Sequence, residues 1–196
     1  MKNDIILAGV GGQGILSIAA IIGYAAVDTG LYLKQAEVHG MSQRGGDVQS
    51  HLRISDKPIY SDLIPGGGAK LILSVEPMES LRYLPYLAEN GWLITNTKPF
   101  INIPNYPEEA AVMQEIEALP RHIALDAHKI ASDLGSARAK NMVMLGAGSL
   151  FIDVEYDKLQ AGINFIFGRK GDAVVQSNLQ ALAAGRKIAE EASATP

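Results

Sequence analysis

Cysteine is absent from all 196 residues. The chain by itself therefore forms no disulfide, no thiolate zinc site and no ordinary cysteine-ligated iron–sulfur cluster. Histidine is scarce. His39, His51, His122 and His128 make no short metal-ligand pair, so no metal is assigned. Charged residues are only 19% of the chain and the net charge is -4, which lacks the basic surplus of a general nucleic-acid binder. A membrane span needs roughly 20 apolar residues in succession. The longest apolar stretch, 15–27, is broken by Ser17, Gly23 and Tyr24. The opening Met-Lys-Asn-Asp passes directly into a strand pattern without a secretory leader, so cytoplasmic location is the default expectation. Internal repeats and low-complexity tracts are also missing.

Apolar residues make up 47% of the chain, enough for a real core. The expectation is one domain over residues 1–196. Asp4 to Val10 reads as a buried strand, and Gly14 to Thr29 as a helix apolar nearly all round. Gly30 is placed to end that helix. Leu31 to Ala36 reads as a second strand. Val48 to Ile54 alternates, which suggests a strand with one buried face and an antiparallel addition to the sheet. Further strands are expected at 70–75, 92–95 and 123–126. Helices are expected at 77–89, with Asn90-Gly91 as their stop, and at 107–119 and 127–134. From Ala137 the pattern is helical, broken near 151–153 and 167–171, and it ends in an Ala-rich helix over 172–192. Strands alternating with helices predict an α/β fold: a doubly wound, mostly parallel sheet with helices on both faces and a helical C-terminal region.

The stretch Ala-Gly-Val-Gly-Gly-Gln-Gly-Ile-Leu-Ser, 8–17, follows the first strand. Gly9, Gly11 and Gly14 fit G-x-G-x-x-G, a turn that brings backbone amides and a helix N-terminus to an anion. A nicotinamide site also wants an acidic residue ending the second strand, about 20 residues on. That region here is Leu33-Lys34-Gln35, and Glu37 falls beyond the expected strand. The turn therefore reads as a phosphate site or a tight strand–helix join rather than a nicotinamide site.

A second polar cluster occupies 36–55: His39, Gln43, Arg44, Asp47, His51 and Arg53, beside Gly40, Gly45 and Gly46. It reads as a recognition loop or a solvated connection. Glu76-Pro77 opens a helix at a strand end, where ligand crevices form; Glu76 reaches a ligand or acts as a helix-end charge. Gly66-Gly67-Gly68 and Gly168-Arg169-Lys170-Gly171 read as connecting turns or anion nests. Asn141 caps the helix that follows it or touches a partner.

Together, Ala-Gly-Val-Gly-Gly-Gln-Gly-Ile-Leu-Ser (8–17), the segment 37–55 beginning Glu-Val-His-Gly-Met-Ser-Gln-Arg-Gly-Gly, the segment 76–87 and Asn-Met-Val-Met-Leu-Gly-Ala-Gly (141–148) resemble the gamma subunit or domain of the 2-oxoacid:ferredoxin oxidoreductases. The resemblance runs over essentially the whole chain. Residues 37–46 are its most specific part and are most similar to the small, beta subunit of the indolepyruvate branch. The resemblance implies a subunit rather than a self-sufficient enzyme. A large alpha subunit would carry thiamine diphosphate, Mg²⁺ and [4Fe–4S] clusters, decarboxylate an arylpyruvate, pass electrons to ferredoxin and hand the acyl group to CoA. It further implies that Gly9, Gly11, Gly12, Gln13 and Gly14 meet a phosphate or diphosphate of CoA. His39, Ser42, Gln43, Arg44, Gly45, Gly46 and Glu76 would face the active site or the partner, with Arg44 able to clamp a carboxylate or phosphate. No residue is assigned a catalytic role. Self-association of the isolated chain stays open. Two alternatives also stay open: a stand-alone CoA- or nucleotide-binding module, and an NAD(P)-dependent oxidoreductase.

Overall fold

The structure, a computed structural model, describes residues 1–40 and 45–194, apart from the side chain of His39. Six strands form one sheet in the order β2-β3-β1-β4-β5-β6: β1 Lys2–Val10, β2 Tyr32–His39, β3 Asp47–Ser55, β4 Ala69–Ser74, β5 Leu87–Asn96 and β6 His122–Leu125. β1, β4, β5 and β6 are parallel, and β3 runs antiparallel to both β1 and β2. The antiparallel addition expected near 48–54 is thus present. The connection from β2 to β3 is too short for a crossover, so the two strands must form a hairpin.

Helices cover both faces. α1 (Ile15–Asp28), α4 (Ala127–Asp133), α5 (Lys140–Gly148), α6 (Tyr156–Phe167) and α7 (Asp172–Ser193) enclose the larger core. α2 (Pro77–Arg82) and α3 (Glu109–Glu117) lie with the smaller one. The pleat of β1 divides its side chains between them. Ile5 and Leu7 enter the larger core, and Ile6 and Ala8 the smaller. A strand covered on both faces reads as a continuous apolar run, which is why β1 was legible. α5 and α7 make the closest helix contact: a Cβ on Gly146 would overlap the Leu182 carbonyl, and one on Gly185 the Val143 carbonyl.

Four expectations need correction. β3 is not buried on one face only, because His51 is 2% and Arg53 8% exposed. The 58–64 segment covers that second face: Arg53 donates to the Ser61 and Leu63 carbonyls, and Ile64 N–H to His51 Nδ1 at 3.0 Å. The helix expected to reach Glu89 ends at Arg82, and a single 3₁₀ turn at Leu84–Tyr86 leads into β5. Pro85 cannot supply the helical N–H and restricts the residue before it. Asn90-Gly91 is then no helix stop but lies inside β5, where the pairing jumps from Ala69↔Leu87 to Leu71↔Trp92. Glycine suits such a bulge. Finally, α1 is not buried all round: Leu16 is 56% and Val27 61% exposed.

Candidate functional site

The glycine turn joins β1 to α1 at the C-terminal edge of the parallel strands. There crevices form beyond the strand ends in open α/β sheets. Each glycine has its own reason. A Cβ on Gly9 would sit 2.5 Å from Val75 Cγ2, so the approach of β1 to Val75, just past the end of β4, demands the small residue. Gly14 has φ +82° and precedes the first helical residue; its Cβ would meet Asn141 Nδ2 at 2.6 Å. Gly12 has φ +96° with nothing within 4 Å of a Cβ, so its face is open.

The turn is tied down from three directions. Gln13 closes it from within: its side-chain Oε1 accepts from Val10 N–H at 2.7 Å, and its own N–H donates to Val10 O. Gln13 is therefore a clamp on the turn. The loop before β3 binds it from the side, with Gly11 N–H donating to Gly46 O at 2.8 Å and Gly45 N–H to Gly11 O at 3.4 Å. Asn141, at the start of α5, donates from Nδ2 to the carbonyls of Gln13 and Gly14 at 2.8 and 3.1 Å. Ala139, not Asn141, is the residue that caps α5. Sequence reasoning missed this strap, since nothing local marks a contact between residues 127 positions apart. The amides of Gly12, Gly14, Ile15 and Leu16 keep no backbone acceptor among the described residues. They stand at the positive end of a 14-residue helix.

A cavity of about 290 Å³ opens over these amides, lined by Gly11, Gly12, Gly14, Leu16, Val48 and Glu37. The sequence placed Glu37 outside the second strand. It lies inside β2, paired with Ser50, and on the wall of the cavity. The strand runs three residues longer than local pattern suggests because β3 supplies partners out to His39↔Val48. β2 points the same way as β1 but stands one strand away, with β3 between them.

The remaining site candidates separate. Gly45 and Gly46 hold the glycine turn, as described. Ser42, Gln43 and Arg44 lie outside the described residues, as does the His39 side chain. Glu76 is the helix-end charge: it is wholly buried and caps α2 by accepting from Glu79 N–H at 2.8 Å. It also accepts from Phe100 N–H at 3.3 Å and Tyr106 Oη–H at 2.6 Å, fastening the 98–107 connection. Burial, then this bond to Glu76, pushes the Tyr106 phenol far up. Glu79 beside it is raised by burial and partly compensated by Arg82 at 2.7 Å. Tyr83 is raised by the same burial and by Asp47, to which its hydroxyl donates at 3.2 Å. Gly67 and Gly68 donate to Pro85 O and Pro65 O, so that triplet is a connection rather than an anion nest.

The fold defines an α/β domain whose first strand–helix junction is a glycine-rich turn. Residues 4–188 match the family described as pyruvate ferredoxin/flavodoxin oxidoreductase. The chain belongs to that family and is its small, gamma-type subunit. It is similar to the indolepyruvate oxidoreductase subunit IorB of Pyrococcus horikoshii, with 40% identity over 154 residues, 74% of this chain and 76% of the relative. Among solved structures, the keto/oxoacid ferredoxin oxidoreductase gamma subunit of Geobacter sulfurreducens matches with a TM-score of 0.70 and 24% identity, covering 96% of this chain and 99% of that one. The 2-oxoglutarate:ferredoxin oxidoreductase of Magnetococcus marinus, solved with 2-oxoglutarate, coenzyme A and succinyl-CoA bound, matches with a TM-score of 0.76 and 22% identity. There the match covers 97% of this chain but 31% of the longer one. At these identities the two structures establish the fold. Among the described residues no helix is long and apolar enough to cross a membrane.

Proposed function

We propose that this chain is the small subunit of a heteromeric indolepyruvate:ferredoxin oxidoreductase and that its glycine turn receives a phosphate of CoA. The observation that carries the second part is the pre-tied turn. Its carbonyls are strapped by Asn141, its flank is held by Gly46, and its amides are left facing the open side of Gly12. Bonds that fix the loop beforehand lower the ordering cost of binding. Thiamine diphosphate, Mg²⁺ and iron–sulfur clusters belong, in this reading, to the large subunit. A chain without cysteine supplies no thiolate for a cluster. The bound thiamine and clusters would supply decarboxylation and one-electron transfer to ferredoxin. This chain's residues would bind and orient the CoA diphosphate at the amides of Gly12, Gly14, Ile15 and Leu16. The loop of His39, Ser42, Gln43 and Arg44 would face the large subunit or the reacting centre.

The test is reconstitution. The purified chain alone should give no indolepyruvate- and CoA-dependent reduction of ferredoxin or a viologen dye, and addition of the large subunit should restore it. Full turnover by the large subunit alone would refute the subunit role. Glu37 on the cavity wall favours keeping one other reading in the same experiment, a dinucleotide held through its ribose. Titration with NAD⁺ and NADP⁺ decides it: tight binding by the free chain, without turnover in the mixture, would replace the CoA reading.

A further inference from the structure

Between β5 and α3, residues 98–107 form a strap with no helix or strand. Its two anchors meet on one atom. Phe100 N–H and Tyr106 Oη–H both donate to Oε1 of the buried Glu76, at 3.3 and 2.6 Å. Phe100 and Ile101 are 43% and 63% exposed, so polar bonds rather than apolar burial hold this part of the chain. Asn102 lies between the anchors. It is exposed, and its Nδ2 donates to the carbonyl of Gly45, 57 residues away. A Cβ on Gly45 would stand 3.3 Å from the same Nδ2.

Gly45 thus has a partner on either side. Its carbonyl takes Asn102, while its N–H donates to the Gly11 carbonyl and the neighbouring Gly46 carbonyl accepts from Gly11 N–H. The Gly11 carbonyl and the Gly12 N–H belong to one planar trans peptide, so they point in opposite directions. Holding Gly11 O on the Gly45 side therefore aims the Gly12 N–H away from it. From Asp47 onward the chain is fixed independently: Asp47 pairs with Val10 in the sheet and accepts from Tyr83 Oη–H at 3.2 Å. Gly45, at φ +80°, and Gly46 have no side chains to fix them. Among the described residues Asn102 supplies the one side-chain bond to either glycine.

We propose that Asn102 is a positioning residue for the glycine turn: held by Glu76 through Tyr106, it fixes Gly45 and so sets the direction of the Gly12 amide. The ligand that this amide would meet rests on the CoA reading. The test measures amide exchange by NMR, and CoA binding by calorimetry, on the full chain. Asn102→Ala should speed exchange at the Gly11 and Gly45 amides roughly three- to tenfold, the scale of one net hydrogen bond, and leave Ile6 and Leu7 of β1 unchanged. Asn105→Ala alters an exposed side chain of the same strap that makes no hydrogen bond among the described residues, and it should exchange as wild type does. Tyr106→Phe should act as Asn102→Ala does, and should add nothing to it in the double variant, since both act through one contact. Affinity for CoA should fall by the same roughly three- to tenfold factor in Asn102→Ala. Unchanged glycine exchange, equal effects of Asn102→Ala and Asn105→Ala, acceleration spread through β1, or additive effects in the double variant would each overturn the proposal. Faster exchange with undiminished CoA affinity would also overturn it and leave the CoA reading standing. If wild type binds no CoA, the CoA reading fails, and the exchange measurements alone decide whether Asn102 positions the turn.

Discussion

Gly12 and Gly14 sit two residues apart in the same turn, and the structure assigns them different duties. Gly12→Ala places a methyl in open space, with nothing within 4 Å, at φ +96°. The fold then bears only the cost of a left-handed alanine, roughly 1–2 kcal/mol. Gly14→Ala bears a comparable cost at φ +82°, and its methyl also comes within 2.6 Å of Asn141 Nδ2. Asn141 must move off the carbonyls of Gln13 and Gly14, giving up two hydrogen bonds. At about 0.5–1.5 kcal/mol each, the total for Gly14→Ala comes to about 2–5 kcal/mol. Urea denaturation of the isolated chain reads both values. Calorimetry with CoA reads the second half of the argument, where Gly12→Ala, though mild for the fold, should weaken binding by at least about tenfold, or ~1.4 kcal/mol. Two results would refute the reasoning. If Gly12→Ala destabilises as much as Gly14→Ala, the Gly12 face is not open. If Gly12→Ala binds CoA as wild type does, the turn is a join between strand and helix and not a phosphate site.

Three further outcomes follow from the packing. Asp4→Asn strips the carboxylate from Arg53, which is 8% exposed and held to it at 2.8 and 3.1 Å; unfolding free energy should drop by about 3 kcal/mol or more. The paired change Asp4→Leu with Arg53→Met should recover most of that loss, and no recovery would contradict the ion-pair account. Gly185→Ala drives a methyl into the Val143 carbonyl, which belongs to helix backbone and cannot swing aside. A cost of about 3 kcal/mol should lower the melting temperature by roughly 6–12 °C, and a shift under 2 °C would show that α5 and α7 separate freely. His51 is held below its usual 6.5 by burial and then by the Arg53 charge, against a smaller pull from Asp4. The unfolded chain thus takes up the proton first, and stability should fall as pH is lowered through about 6.5. His51→Asn, which can keep an acceptor for Ile64 N–H, should remove that slope from the denaturation profile.

The parts of the fold legible in the sequence were those fixed by local chemistry. β1 showed itself because an apolar run covered on both faces ends in glycines. Pro77 marked the start of α2, with Glu76 as its cap. Gly30, at φ +75°, follows α1 as expected. What escaped was settled by distant partners. Glu37 to His39 look like loop residues and become strand only through pairing with Val48, Gln49 and Ser50. His51 and Arg53 look like an exposed face until the 58–64 segment folds over them. The glycine motif was readable at the site, but Asn141 was not, since a lone asparagine before an apolar run carries no sign of a carbonyl it will meet across the molecule.

These distant ties bear on what the turn is for. A turn that only joins strand to helix needs Gly9 for packing against Val75 and Gly14 for its left-handed backbone. It does not need a positive φ at Gly12 with empty space above it, nor a side chain from α5 on two of its carbonyls. Open space above a constrained backbone is wasted in a structural join and required where a ligand approaches amides closely. The amides of Gly12, Gly14, Ile15 and Leu16, without backbone acceptors among the described residues, are the groups that such a ligand would meet in the reading proposed above.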